Sequence, residues 1–243
     1  MLLSVNPFII AYSQSDFFGK LIMLGLIALS MVCWVVLLHK VWLMRKVDQL
    51  SKTFQAVVEQ QRGAVLTINP SVFPSSRNAL HPFSQIFQAV QGKTIEILNK
   101  NRYFLSQSTG SKANAYLTST DLELLESHAS STISVQLKSL EKNLFILPTI
   151  VTLAPFMGLL GTVWGILVTF SGLHKGESLG SSTSMLGGLS TALATTVLGL
   201  VIAIPALIAY NYIKNYLRHY TTDMDTFLSS LLSQIELQYR KVE

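Results

Sequence analysis

The sequence predicts an all-α, multi-pass membrane protein with three transmembrane helices, the second and third extended into the cytoplasm. Three observations carry that prediction. Of 243 residues, 49% are hydrophobic and only 13% are Asp, Glu, Lys or Arg, about half the roughly 25% charged share of a soluble domain. The deficit is concentrated in three stretches, 21–38, 143–173 and 178–213, which contain none of those four residues. Each reaches the roughly 18 residues that a helix needs to cross a hydrocarbon core about 30 Å thick. Strand signals are nearly absent, and a mean hydropathy of +0.43 excludes a disordered chain, which requires low hydrophobicity.

Charge placement sets the expected orientation. Lys40, Arg45 and Lys46 follow the first stretch, Lys138 and Lys142 precede the second, and Lys214 and Arg218 follow the third, whereas Lys175 alone lies between the second and third. The positive-inside rule then puts the N-terminus outside and the large middle segment and C-terminal tail in the cytoplasm. The net charge of +5 does not indicate nucleic acid, because the basic residues are spread along the chain rather than clustered with aromatic residues on one face.

The elements follow in order. Residues 1–15 form an outer-side N-terminal segment, where Pro7 and the apolar Phe8, Ile9 and Ile10 suggest a short interfacial helix. Residues 16–44 are the first span. Asp16 and Lys20 cancel ahead of it, so there is no basic n-region, and neither a short apolar core nor a cleavage site marks a signal peptide. Cys33, the single cysteine, reads as a small packing residue.

Residues 45–140 are a cytoplasmic helical region. A helix from Lys46 to Gln61 ends before Pro70 and Pro74. A second covers Phe83 to Asn101, with Phe83, Ile86, Phe87, Val90, Ile95, Ile97 and Leu98 as its apolar face. A polar break follows at Ser106 to Lys112, beyond which Leu122, Leu125, Ile133, Val135, Leu137 and Leu140 are the apolar positions of the next helix. A third helix, Asp121 to Lys142, is expected to start at a capping box of Ser119 or Thr120 with Glu123 and to run unbroken into the second span. That span, 141–173, is interrupted by Pro148 and Pro155. An outer loop at 174–184 belongs to a glycine- and serine-rich turn, Gly176 to Gly188. Residues 185–213 are the third span, bent by Pro205, and 214–243 a cytoplasmic C-terminal helix.

The content of the last two spans is the functional signal. Gly158, Thr162, Gly165 and Thr169 recur at steps of four, three and four, which stacks them on one helical face. Gly161 and Gly165 form a GxxxG, the spacing at which membrane helices approach closely. In the third span Gly188, Ala192 and Thr196 lie at steps of four, beside a second stripe of Thr191, Thr195, Gly199 and Ala203. One reading is helix packing, with each threonine hydroxyl bonded back to a carbonyl one turn earlier. The other is a lumen faced by Thr162 and Thr196. The expected pathway-lining set is Thr162, Thr196, Gly158, Gly165, Ala192 and Gly199, and the expected packing set Pro155, Gly161, Trp164, Thr195 and Pro205.

No span holds an ionisable group in its central part; His39 and His174 sit at the ends. A proton path ordinarily requires such a group, so a partner would have to bring the carboxylate. Enzyme chemistry is set aside: GxxxxGK[ST], HExxH and GxSxG are absent, and His81, His128 and His219 stand at no ligand spacing. No metal and no cofactor is expected.

The run Ala154 to Gly165, ending Gly161 Thr162 Val163 Trp164 Gly165, with Ala192 to Ala206 and the nearby Tyr210 and Asn211, resembles the signature of the TolQ/ExbB/MotA proton-channel family over about Leu140 to Asn211. The first span and the N-out layout look closer to the TolQ branch than to ExbB, and the MotA branch has four spans. The resemblance implies an inner-membrane motor of the Tol-Pal or TonB kind. Its ring of identical subunits, a homo-pentamer in this family, surrounds a dimer of single-span TolR- or ExbD-like partners whose membrane aspartate takes up protons, with a TolA- or TonB-like protein beyond. Thr162 and Thr196 match the family's pore threonines. Thr191 stands where many members have Glu, and Glu141 resembles a family acidic position. The alternative from another class is a structural membrane scaffold without ion conduction.

Overall fold

The computed structural model describes residues 7–60, 81–109, 116–174 and 182–240. Within them the chain forms α1 (Pro7–Gln14), α2 (Phe17–Gln60), α3 (Pro82–Thr109), α4 (Ser119–Glu141), α5 (Ile146–His174) and α6 (Ser182–Tyr239). The only β-type pairing among the described residues is an isolated bridge between Leu117 and Arg240. Three runs, Phe17–Val58, Ser119–Gly172 and Gly187–Tyr239, are long and apolar enough to cross a membrane. The chain divides into two units, Met1–Lys40 with Asn143–Ile213 and Val41–Lys142 with Lys214–Glu243, to both of which α2 and α6 contribute.

The first unit is apolar on its outside as well as within. Ile22, Met23, Leu26, Leu147, Ile150, Ala154, Ala192, Ala203 and Ala206 are buried, while Val35, Phe156, Phe170, Leu193 and Ile208 are each more than 60% exposed. A water-soluble domain does not carry contiguous apolar surface of this extent. This is a membrane-spanning unit, and the chain is a multi-pass membrane protein. α1 packs through Ala11, with Phe8, Ile9 and Tyr12 outward. The 1–6 part of the expected outer segment lies outside the described residues.

The second unit has an ordinary buried core. α2 turns Met44, Val47, Ser51, Phe54 and Val58 inward and α6 turns Leu217, Tyr220, Met224, Leu228 and Leu231 inward, both at the three-and-four spacing of a helical stripe. Phe83, Ile86, Phe87 and Val90 of α3 complete it. Ring centroids lie 5.1 Å apart for Phe83 and Phe227, 5.5 Å for Phe83 and Tyr220 and 5.8 Å for Phe54 and Phe87, the tilted arrangements that aromatic quadrupoles favour. The buried Tyr220 hydroxyl lies 2.6 Å from Ser51 Oγ, and burial holds its phenol well above the ordinary range.

Five local expectations are corrected. α4 is capped by Thr118, whose hydroxyl accepts from the Asp121 amide while Asp121 reaches back to the Thr118 amide. This box lies earlier than one built on Ser119 or Thr120 with Glu123, because Asp121 stands three residues after Thr118. α4 also does not run unbroken into the second span. It ends at Glu141 with Lys142 as its C-cap, and Asn143 takes φ of 64°, the left-handed position that asparagine tolerates at a helix C-terminus. Pro148 enforces the restart at Ile146: it has no amide for the Leu144 carbonyl and fits only in a first turn.

Pro155, by contrast, does not interrupt α5. A membrane helix tolerates proline where a neighbouring helix supports the freed carbonyl. The glycine- and serine-rich turn is shorter than expected, since α6 already begins at Ser182; Lys175 to Ser181 and the Pro70 and Pro74 stretch lie outside the described residues. The polar break begins later than Ser106, because α3 continues to Thr109, held by Gln107 Nε2 donating to Tyr103 Oη and Ser106 Oγ to the Tyr103 carbonyl. α6 passes Pro205 as one helix.

Candidate functional site

α5 and α6 meet along the small residues. A Cβ on Gly158 would stand 3.0 Å from the Thr195 carbonyl and from Thr196 Cα, one on Gly165 would stand 2.8 Å from Ala192 Cβ, one on Gly188 2.6 Å from Thr169 Oγ1, and one on Gly199 2.6 Å from the Ala154 carbonyl. A Cβ on Gly161 would collide with Thr195 Oγ1. These glycines are required by close approach of the helices. Gly158, Gly161, Ala192, Thr195 and Gly199 are accordingly buried, and Gly165 half-buried. Of the expected pathway set, Gly158, Gly165, Ala192 and Gly199 thus sit in contacts between two helices of one chain.

The threonines divide by what their hydroxyls reach. Thr195 Oγ1 donates to the Ala192 carbonyl at 2.7 Å and lies 3.4 Å from the Gly158 carbonyl. Thr196 Oγ1 crosses the seam to that same Gly158 carbonyl at 3.1 Å. Thr162 Oγ1 stays on its own helix, 2.7 Å from the Leu159 carbonyl, and its side chain is half-exposed. The Thr162 hydroxyl is thus satisfied within its own helix. Thr196 holds a carbonyl that belongs to the neighbouring helix.

Electrostatically the seam is uncharged. α5 contains no Asp, Glu, Lys or Arg, and neither does α6 as far as Ile213. No group of three His, Cys, Asp or Glu side chains among the described residues could hold a metal ion. The seam is therefore an uncharged helix–helix contact, edged by the half-buried Thr162 and Thr196, and its polar groups are hydroxyls and carbonyls with no titratable side chain.

Hydrogen bonds of Trp164, an expected packing residue, of Thr191, a member of the second stripe, and of Asp16, read only as a charge, tie helices of the first unit to one another. Trp164 Nε1 donates to Asp16 Oδ2 at 2.8 Å, and its ring lies 4.4 Å from that of Phe18. Asp16 Oδ1 also accepts from the Gly19 amide at 3.0 Å. Thr191 Oγ1 lies 2.9 Å from the Gly187 carbonyl and 3.0 Å from the Ala11 carbonyl of α1, its single hydrogen serving one or shared between the two. An Asp directly before a long apolar run is a helix-start signal; weighing it only as a charge cancelling Lys20 concealed it. Pro155 is half-buried beside Ala154, and Pro205 is exposed on α6.

The profile of the MotA/TolQ/ExbB proton channel family matches residues 98–226, which contain all of α5 and most of α6. The chain is 36% identical to the biopolymer transport protein ExbB of Aquifex aeolicus over 110 residues, 45% of this chain and 70% of that protein. It is 53% identical to the Helicobacter pylori protein of that name over 72 residues, 30% of this chain and 49% of that one. It is 43% identical to the Tol-Pal system protein TolQ of Pseudomonas aeruginosa over 79 residues, 32% and 34% of the two chains. With the matched profile covering more than half of its length, and covering the seam just described, the chain belongs to the MotA/TolQ/ExbB proton channel family.

Proposed function

We propose that this chain is the ring-forming proton-channel subunit of an inner-membrane motor that couples proton-motive force to work at the outer membrane through a TolR- or ExbD-like partner. The observation that carries the reading is the uncharged α5 and α6 seam, threonine-bearing and inside the family-matched region, which can guide a carboxylate but has none of its own. A homo-pentamer around a dimer of single-span partners, each bringing one membrane aspartate, completes it. A TolA- or TonB-like protein takes the force onward. The chain is a transport subunit, not an enzyme. Its N-terminus lies on the periplasmic side and its C-terminus in the cytoplasm, the orientation that the basic residues at the span ends favour.

In this mechanism the partner carboxylate alternates between protonated and charged forms. One charge crossing the membrane supplies about 2.3 kcal/mol per 100 mV, ample to drive a turn of a helix against a smooth wall. Thr162 and Thr196 hold the charged form or a file of water. Thr196→Val keeps the shape and removes the hydroxyl. The expected result is an assembled ring that co-purifies with its single-span partner but no longer energises it. Normal energising by the assembled variant would refute the polar role. The second reading, a structural scaffold without conduction, is favoured by the intrachain contacts that already account for Gly158, Gly165, Ala192 and Gly199. Co-purification without any partner that has an intramembrane acid would select it.

A further inference from the structure

The Asp16 carboxylate is used twice. Capping α2 needs one oxygen, and Oδ1 meets the Gly19 amide. The second oxygen goes to the indole of Trp164, a residue of α5 two positions after Thr162. Successive residues of an α-helix are turned by about 100°, so a hydrogen bond that fixes one side chain fixes the others. Measured round α5 from Trp164, the residues that touch α6, Gly161, Gly165 and Gly158, lie at about 60°, 100° and 120°, and Thr162 lies at about 160°. α2 therefore grips one side of α5, α6 covers the flank, and Thr162 points nearly opposite to the grip. On the α6 side α5 is held by the Gly158 carbonyl, which accepts from Thr196 Oγ1 at 3.1 Å, and by close glycine contacts; the indole bond adds a directional hold on the α2 side.

We infer that Asp16 is a positioning residue for α5: by holding the Trp164 indole it fixes the rotation of α5 about its axis and hence the direction of the Thr162 hydroxyl. The Phe18 ring against Trp164 supplies a contact surface without a direction; the hydrogen bond supplies the direction. Other charged or titratable neighbours are Lys20, one turn along α2, and Tyr12 of α1, over whose ring the Lys20 ammonium sits at 6.0 Å. The functional value of this latch rests on the proposed role of Thr162, but the latch itself does not.

The test uses the full chain in lipid nanodiscs with 5-fluorotryptophan at its three tryptophans, the Trp164 fluorine resonance being assigned by its loss in Trp164→Phe. Asp16→Ala is expected to move that resonance and not those of Trp34 and Trp42, and Asp16→Asn, which has one acceptor oxygen where the cap and the indole use two, to move it as well. In the same backgrounds the maleimide labelling rate of Thr162→Cys should change several-fold with Asp16→Ala or Trp164→Phe, with no further change when the two are combined. The rate for Thr196→Cys, on α6, should stay constant. An unmoved Trp164 resonance, additive effects of the two substitutions, or an equal change at Thr196→Cys would overturn the inference. Proton uptake by vesicles holding the chain and its single-span partner tests the proposed function separately: if the wild type takes up none, that function fails while the resonance and labelling results still decide the latch.

Discussion

Gly161→Ala places a methyl group of α5 against the buried Thr195 side chain of α6. The new Cβ would collide with Thr195 Oγ1 and stand 2.7 Å from Thr195 Cβ and 3.0 Å from its Cγ2, all closer than carbon atoms approach at equilibrium. Thr195 cannot swing aside, being 1% exposed with its hydroxyl on the Ala192 carbonyl. Overpacking a filled site costs about 1–3 kcal/mol, and a three-atom clash with a fixed partner belongs at the upper end, about 3 kcal/mol. Replacing glycine by alanine in a helix returns about 1 kcal/mol, leaving a net loss of about 2 kcal/mol. At roughly 2–4 °C per kcal/mol for a chain of this size, the unfolding temperature in detergent should fall by roughly 4–8 °C. Gly92 is the control, since nothing lies within 4 Å of an added Cβ there; Gly92→Ala should stabilise by about 1 kcal/mol. Thermal unfolding followed by intrinsic fluorescence reads both. Equal or greater stability of Gly161→Ala would refute the seam geometry, and recovery in Gly161→Ala with Thr195→Gly would identify the clash as its cause.

The remaining predictions concern the second unit. Tyr220→Phe keeps the aromatic contacts but removes a hydroxyl 2.6 Å from Ser51 Oγ; because Ser51 can still donate to the Val47 carbonyl, the loss should be about 1 kcal/mol, measured by urea titration. Thr118→Ala removes the α4 cap and should cost about 1 kcal/mol, seen as faster amide exchange in the first turn of α4. Asp121 also carries a pH signature. Partial burial raises its pKa, but hydrogen bonds from the Thr118 amide and hydroxyl and from Asn101 outweigh that and hold it below the usual carboxylate value. A folded value lower than the unfolded one, about 3.9, means that its contribution is complete at neutral pH and is lost as pH falls below about 4 through the folded value. Asp121→Asn should flatten that part of the acid unfolding curve, and an unchanged curve would contradict the assignment.

Much of this molecule was legible in its sequence because the relevant physics is local or statistical. Charge-free stretches of sufficient length can only be membrane helices, since a bilayer leaves no other partner for backbone amides. Stripes of small residues at steps of three and four mark a close helix contact whatever the partner. The pattern also located the inward faces of α3 and α4 through Phe83, Ile86, Phe87, Val90, Leu125, Ile133 and Leu140, which are buried. It erred at Ile95 and Val135, which are exposed, because hydrophobicity alone cannot tell a core position from an apolar surface one.

What pattern could not supply was the direction of each small-residue face. Glycine at 158 and 165 suits a lumen wall and a helix seam equally, and only the tertiary structure shows Thr195 and Ala192 against them. Nor could it show that Thr196 donates across the seam to Gly158 while Thr162 bonds within its own helix, because a hydroxyl's partner depends on the rotation of two helices at once. The sharpest case is Asp16. Read along the chain, it is a charge balanced by Lys20; in three dimensions it is 148 positions from its partner Trp164 and ties α2 to α5. The sequence by itself determined which helices exist and that their shared surface is uncharged, since those follow from composition and period. Only the tertiary structure decided which faces of α5 meet α2 and α6, because the hydrogen bonds there, Asp16 to Trp164 and Thr196 to the Gly158 carbonyl, join residues that no local rule connects.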